Sequence, residues 1–267
     1  MSLQIEALNC QLNGQTILHD ISLPALQSGT VVALAGPNGS GKSTLMRALA
    51  GIIPARSKRL CLNGTDLTRL GELDRADQLR YLPQDLPPLL DLTVLDALHV
   101  ALNARKRAAR TAADPEALAI LTELELSHLA ERSLRTLSGG QRQLTGLAQA
   151  LCRPPRVLLL DEPVSALDLH FQHHILRTLR TLSKRHSLLI IVVLHDLNHV
   201  LRYTDHVVVL HQGGIAATGI PGKVLTPELL NAVFAVQARL ETCSQGILHL
   251  IIDQPSPGLS STRDQTL

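Results

Sequence analysis

The run Gly36-Pro37-Asn38-Gly39-Ser40-Gly41-Lys42-Ser43-Thr44 fits the pattern G-x-x-x-x-G-K-[ST] at every fixed position. Each residue type there answers a need of phosphate chemistry. Glycines 36, 39 and 41 let the backbone turn tightly and bring its N–H groups onto phosphate oxygens, where the positive end of a following helix adds its field. Lys42 supplies a point charge to the β- and γ-phosphates of a nucleotide. Ser43 supplies a hydroxyl to Mg²⁺, a hard cation that prefers oxygen ligands and arrives with the nucleotide. The competing account is a glycine-rich turn that happens to carry Lys-Ser. It has to treat the flanking elements as coincidence.

Further along, Val157-Leu158-Leu159-Leu160-Asp161-Glu162 is an apolar run that ends in two acids. A strand buried to its last residue can set Asp161 rigidly at the carboxyl edge of a sheet, beside the loop, where it can hold Mg²⁺ directly or through water. Glu162 points the other way and can take a proton from an attacking water. Alternatively, the two acids cap the next helix. In Leu137-Ser138-Gly139-Gly140-Gln141-Arg142-Gln143, a Ser and two glycines precede a helical run, which predicts a bare, donor-rich helix start able to bind an anion. Gln84 and His195 each follow a strand, and Ser165-Ala166-Leu167-Asp168 follows the paired acids.

These residues need elements to position them. Val31 to Ala35, ahead of the loop, is a continuous apolar run of the kind covered on both faces, and Leu45 to Ala50, behind it, reads as a helix that stops at Gly51. Leu3 to Leu12 and Thr16 to Leu23 alternate weakly around the turn signal Asn13-Gly14, which predicts an antiparallel hairpin. Leu60-Cys61-Leu62 and Leu79 to Leu82 are further short strands. From Thr93 the apolar residues fall at helical spacing, so the segment from about Asp85 to Pro155 reads as all-helical and inserted between two halves of an α/β core. Strands return at Val157 to Asp161, Leu188 to Leu194 and His206 to Leu210, separated by helices at about Leu169 to Leu182 and Leu197 to Arg202. That is the rhythm of a parallel sheet with crossover helices. A smaller appendage comes after them, with a helix near Pro227 to Val236 and a strand near Ile247 to Ile252. The Pro/Ser-rich end is expected to be disordered.

Composition narrows the classes. A chain of 267 residues with a formal net charge of +2 can bury a substantial core but offers no charge argument for nucleic acid or an anionic membrane surface. Arg105-Lys106-Arg107 with Arg110 reads as a nucleic-acid contact or as a solvated helix end, and the neutral total favours the second. Cys10, Cys61, Cys152 and Cys243 lack C-x-x-C spacing, so reduced, mostly buried thiols are a simpler account than a zinc site or disulfides. The start Met1-Ser2-Leu3-Gln4-Ile5-Glu6 has no signal-peptide pattern, and Leu188 to Leu194 is too short to cross a bilayer. The chain is therefore expected not to span a membrane itself.

Taken together, Gly36 to Thr44, Gln84, Leu137 to Gln143, Val157 to Glu162, Ser165 to Asp168 and His195 resemble, in order and spacing, the ATP-binding subunit of an ABC transporter. They stand where that family has its Walker A, Q-loop, signature, Walker B, D-loop and switch-histidine motifs, over roughly Leu3 to Gly219. The resemblance implies an α/β phosphate-loop NTPase core, a mostly parallel sheet with an antiparallel β subdomain, and an inserted all-helical arm. Residues 1–84 and 156–220 would form the nucleotide-binding core, 85–155 the helical subdomain with the signature, 221–253 a small C-terminal appendage and 254–267 a disordered tail. It implies ATP and Mg²⁺ as ligands, with Lys42, Gln84, Glu162 and His195 in catalysis and Ser43, Gln84 and Asp161 on the metal. Residues 36–44 would bind the nucleotide, together with Ser138, Gly139, Gly140, Gln141 and Asp168. Two such chains would pack head to tail and share their ATP sites, attached to two integral membrane subunits at the cytoplasmic face of the inner membrane and served by an extracytoplasmic substrate-binding protein. No nucleic acid enters this picture.

The phrases Leu167 to His173 and His195 to His199 look most like the importers of iron-siderophore, haem or cobalamin complexes. His170, His173 and His174, and His195 with His199, have helical spacing that would also suit a metal, yet no carboxylate or Cys set accompanies them. Solvated side chains are the plainer reading. One departure from the family concerns the base: the aromatic residue that stacks on adenine falls at Leu12, and no Tyr, Phe or Trp occurs before Tyr81. Weaker base recognition is expected. Rival readings are an ABC importer or exporter for another cargo, a soluble ABC ATPase acting on DNA or ribosomes, and an ordinary phosphate-loop kinase or GTPase, which the stretch at Leu137 argues against.

Overall fold

The computed structural model describes residues 2–84, 91–103, 115–165 and 167–256. The basic cluster from Arg105 to Arg110, Ala166 and residues 257–267 lie outside them. Strand β1 (Ser2–Leu12) returns as β2 (Gln15–Gln27) through Asn13 and Gly14, both at positive φ (50° and 78°), a two-residue turn whose twist suits a hairpin. Next come β3 (Val31–Ala35) and α1 (Lys42–Ala50), which ends at Gly51. Beyond them lie β4 (Arg59–Leu62), β5 (Thr65–Asp66), α2 (Glu72–Gln78) and β6 (Leu79–Leu82). The described residues before the next strand form α3 (Val94–Leu102), α4 (Pro115–Glu123) and α5 (Gly139–Leu151). Then β7 (Val157–Leu160), α6 (Leu169–Arg185), β8 (Leu189–Val193), α7 (Leu197–Tyr203) and β9 (His206–His211) alternate. The chain finishes with β10 (Gly214–Gly219), α8 (Pro221–Val224), α9 (Pro227–Phe234), β11 (Val236–Thr242) and β12 (Leu248–Pro255).

Six strands form the main sheet in the order β10-β9-β3-β8-β7-β6, parallel from β9 to β6, with β10 antiparallel at the edge. Their apolar runs are buried on both faces because each face has its own cover. In β3, Val31, Ala33 and Ala35 face a core shared with α3, α5 and α6, while Val32 and Leu34 face one shared with α1 and the antiparallel sheet β2-β1-β4-β5. Burying one Val or Leu side chain is worth about 1.5–3 kcal/mol. These strand rows, rather than the loops, therefore hold the carboxyl edge of the sheet in place.

Several elements escape a reading of hydrophobic pattern. Helix α2 buries none of its residues, and β10 (GIAATG) carries no row of large apolar side chains. The C-terminal appendage is a helix pair and then a hairpin rather than one helix and one strand. Ala235 takes a left-handed φ of 55° that ends α9 and frees Val236 to begin β11. The expectation of a tail from residue 254 is corrected: Gln254 pairs with Gln237 and Pro255 with Val236, so β12 runs to Pro255.

Two glycines separate conformational strain from collision. A Cβ on Gly14 would meet nothing within 4 Å, whereas on Gly36 (φ 145°) it would lie 2.1 Å from the backbone oxygen of Leu210 in β9. Gly14→Ala should cost about 1–3 kcal/mol, from its positive φ alone, and Gly36→Ala several-fold more. Denaturant midpoints of the two variants check this, and equal losses would contradict the packing described for β3 and β9.

Candidate active site

Four neighbouring parallel strands, β3, β8, β7 and β6, end at one edge of the sheet. The segments just beyond their ends are therefore brought side by side: residues 36–44 after β3, His195 after β8, Asp161 and Glu162 after β7, and Gln84 after β6. Such an edge is where open α/β sheets bind ligands. A cleft of about 630 Å³ is lined there by Asn38, Gly39, Gly41, Lys42, Ser43, Thr44, Gln84, Glu162 and His195, with Ile17 from β2 on its rim.

The Lys42 side chain donates from Nζ to the carbonyl oxygens of Gly36 and Pro37, both at 2.9 Å. Burial pushes its pKa below the ordinary lysine value, while the carboxylates of Glu162 and Asp161 work in the opposite direction. An ammonium has three donors, so the loop's own carbonyls leave one for a ligand. The hydroxyl of Ser40 is buried and has no hydrogen-bond partner among the described residues. A polar atom in that state is costly unless something else meets it. A phosphate oxygen would.

Asp161, 4% exposed, is the most constrained of the acids. Its N–H donates to Leu82 O (3.0 Å), its Oδ1 accepts from Ser43 Oγ (3.1 Å), and its Oδ2 accepts from Tyr81 OH (2.9 Å). Burial and the adjacent Asp161 push the Tyr81 pKa well above the phenol value, so Tyr81 remains a donor at neutral pH. Ser43 Oγ and the Asp161 carboxylate form a hard oxygen pair that could hold Mg²⁺. Glu162 leaves the strand with a left-handed φ of 49°, and its Oε1 lies 2.6 Å from His195 Nε2. A carboxylate fixed by an imidazole at the mouth of a phosphate cleft is suited to accept a proton from water.

The expected signature residues lie elsewhere. Ser138, Gly139, Gly140 and Gln141 open α5 and are not part of the cleft lining. The start of α5 is not bare, which corrects the expectation: Ser138 Oγ accepts from Gln141 N (3.3 Å) and Gln141 Oε1 accepts from Ser138 N (3.1 Å). This reciprocal capping box satisfies two of the orphan amides. Gly140 is buried, where a Cβ would come within 3.0 Å of the Phe171 ring. Asp168 is the N-cap of α6, its Oδ1 accepting from Phe171 N at 3.0 Å. The helix after β7 is thus capped by Asp168, and Asp161 and Glu162 are left for the cleft.

Two residues were not anticipated. Tyr81 carried no signal beyond its place in an apolar strand, and its partnership with Asp161 depends on β6 and β7 being paired. Ile17, not Leu12, is the hairpin residue that lines the cleft, since Leu12 ends β1 opposite Gln15. The histidines have other partners. His173 Nδ1 lies 2.6 Å from Tyr203 OH, His199 packs edge-on to it at 5.2 Å, and His170 stacks with His174 at 6.5 Å. No group of three or more His, Cys, Asp or Glu side chains placed to hold a metal occurs among the described residues. A broader groove of about 760 Å³ along α6 is lined by Arg177, Arg180, Lys184 and Arg202. It shares no residue with the phosphate cleft.

Residues 18–165 match the ABC transporter family. The chain belongs to that family. It is 35% identical to the hemin import ATP-binding protein HmuV of Chelativorans sp. strain BNC1 over 92% of this chain and 96% of that one. It is 32% identical to the iron(3+)-hydroxamate import ATP-binding protein FhuC of Bacillus subtilis strain 168, over 90% of each. The sulfate/thiosulfate import ATP-binding protein CysA of Yersinia pseudotuberculosis is 38% identical over 84% of this chain but 62% of its own length. Among solved structures, an ABC transporter assigned to the metal-chelate type, in an inward-facing conformation, superposes with a TM-score of 0.79 at 27% identity, covering 94% of this chain and 97% of that one. The ADP conformation of MJ1267, an ATP-binding cassette, gives 0.75 at 29% identity over 86% and 94%. This ABC protein binds and hydrolyses ATP on a phosphate-loop fold with an inserted helical arm, as the motifs implied. No helix among its described residues is long and apolar enough to cross a membrane.

The grip on Asp161 has a measurable consequence. Tyr81→Phe leaves a buried carboxylate with one side-chain donor fewer, which should destabilise the nucleotide-free protein by about 1–3 kcal/mol. Urea unfolding checks it, and an unchanged midpoint would mean that solvent already serves Asp161 Oδ2.

Proposed function

We propose that this ABC ATPase drives the import of a metal chelate of the iron-siderophore, haem or cobalamin class through separate membrane subunits. The observation that carries the reading is its near full-length similarity to ATP-binding proteins of hemin and iron-hydroxamate import, joined by a structural likeness to a transporter of the metal-chelate type. A cobalamin import ATP-binding protein of Halobacterium salinarum, 31% identical over 91% of this chain, supports the same class. The similarity to a sulfate/thiosulfate import protein favours a second reading, an importer of another cargo on the same engine.

In this reading the backbone amides of residues 36–41 and Lys42 bind the triphosphate, with Ser40 Oγ as a further partner for a phosphate oxygen. Ser43 and Asp161, with Gln84 nearby, would hold Mg²⁺, whose charge when bound offsets that of the phosphate oxygens. Glu162 takes the proton of the attacking water, and His195, whose Nε2 lies 2.6 Å from its Oε1, keeps the carboxylate oriented and reaches the γ-phosphate. Gln84 couples the cleft to the membrane subunits. A second copy supplies Ser138, Gly139, Gly140 and Gln141, with Asp168 nearby. Ser138 and Gly139 are exposed and outside their own chain's cleft, which supports a head-to-tail homodimer. Within the capping box Ser138 Oγ acts as acceptor, so its O–H remains a donor for the partner's γ-phosphate. The assembly would sit at the cytoplasmic face of the inner membrane, with an extracytoplasmic binding protein delivering cargo. With Leu12 and Ile17 in place of an aromatic ring, affinity rests mostly on the triphosphate.

Glu162→Gln keeps the shape and the His195 contact but loses the base. Turnover should fall a hundredfold or more while ATP still binds, and near-normal turnover would remove Glu162 from that role. Purified with its membrane and binding-protein subunits in vesicles, the complex should take up an iron chelate in an ATP-dependent manner that Glu162→Gln abolishes. ATP-dependent uptake of sulfate but not of any chelate would favour the second reading.

A further inference from the structure

The C-terminal hairpin β11–β12 has only two strands, too few to be stable on its own in water. It leans on α7. Leu197 and Leu201, one turn apart on that helix, pack into a small apolar cluster with Leu230 of α9, Ala238 of β11 and Leu250 of β12. Beside this cluster the Asn198 side chain makes a reciprocal pair with one residue on the open edge of β12. Its Nδ2 donates to Leu250 O (3.1 Å) and its Oδ1 accepts from Leu250 N (2.8 Å). An amide side chain here does what a neighbouring strand would do, using both of its polar ends on a single backbone position.

The place of this clamp along the chain gives it meaning. Helix α7 has only seven residues, and Asn198 lies in its first turn, three positions after His195. Its own N–H is held by the Asp196 carboxylate, which accepts at 2.7 Å and caps the helix. On the other side, Leu194 N donates to Leu34 O of β3 (3.3 Å). The exposed imidazole of His195 therefore stands between two anchors, one in the parallel sheet and one at the hairpin, and it reaches Glu162 at 2.6 Å.

We infer that Asn198 is a positioning residue for His195, and that through it the docked C-terminal hairpin sets how well the Glu162–His195 pair is aligned for ATP hydrolysis. This rests on the reading of His195 as part of the nucleotide chemistry. Asn198 is not among the residues that line the cleft. It acts by fixing the helix start from which His195 emerges, and small misplacements of such a group are costly in rate.

The test uses the full-length chain. Asn198→Ala should lower kcat about tenfold with the KM for ATP changed less than about twofold, because binding through the phosphate loop does not pass through α7. Asn198→Asp keeps the acceptor for Leu250 N but loses the donor, and should fall between Asn198→Ala and the unsubstituted chain. Amide hydrogen exchange should speed up over residues 194–203 and 248–255 and stay unchanged over 36–50. In a His195→Ala background, Asn198→Ala should cause no further loss of turnover, since the residue it positions is gone. If the two losses multiply, or if exchange over 194–203 is unaltered while the hairpin loosens, the clamp only fastens the appendage and the inference falls. If His195→Ala alone turns over normally, the role given to His195 fails first. Should Asn198→Ala not fold, the same cycle is run with Asn198→Asp.

Discussion

A buried carboxylate held by two hydroxyls is the interaction on which the rest of this structure depends. Asp161 accepts from Ser43 at the start of α1 and from Tyr81 in β6, so three elements meet on one side chain. Left unpaired, an ionised carboxylate in that position would cost several kcal/mol or give up its charge. Pairing it makes the geometry mutual. The loop cannot drift from β7 without stranding the acid, and β6 cannot leave the edge without exposing it. The positions of Lys42 and Glu162 on either side are set by that fixed point.

Around it, topology does most of the assembly. Because β3, β8, β7 and β6 are parallel neighbours, four segments far apart in sequence arrive at one edge without any dedicated scaffold. The functional groups need only stand at or just beyond the last strand residue. Packing on both faces then transmits rigidity to them, since the apolar rows of β3, β7 and β8 are fully buried.

That same logic explains what could be read in the chain. Strands such as Val31 to Ala35 and Leu188 to Leu194 are legible because burial on two faces demands unbroken apolar runs, and the phosphate loop is legible because its chemistry allows few alternatives. Relations between side chains are not. Ser138 and Gln141 stand at capping-box spacing, yet the two glycines between them suggest a bare helix start. Asp168 has the look of a ligand contact and is a helix cap in its own chain. Tyr81 becomes important only through a strand pairing that no local pattern encodes. Helix α2 lacks a continuous apolar stripe, so its existence depends on neighbours.

In the proposed dimer, the site in one chain is half of a machine. Its cleft offers phosphate donors, an oxygen pair suited to a metal and a carboxylate suited to act as a base, but Ser138 and Gly139, the exposed donors at the start of α5, are not part of it. The insertion of the helical arm between β6 and β7 makes sense if those donors serve another chain's nucleotide. ATP turnover per chain, measured across a dilution series of the purified protein at saturating Mg–ATP, tests this directly. If two chains share each site, turnover per chain rises in proportion to chain concentration at the dilute end and levels off as dimers fill. Turnover per chain that stays constant over a hundredfold dilution would contradict it.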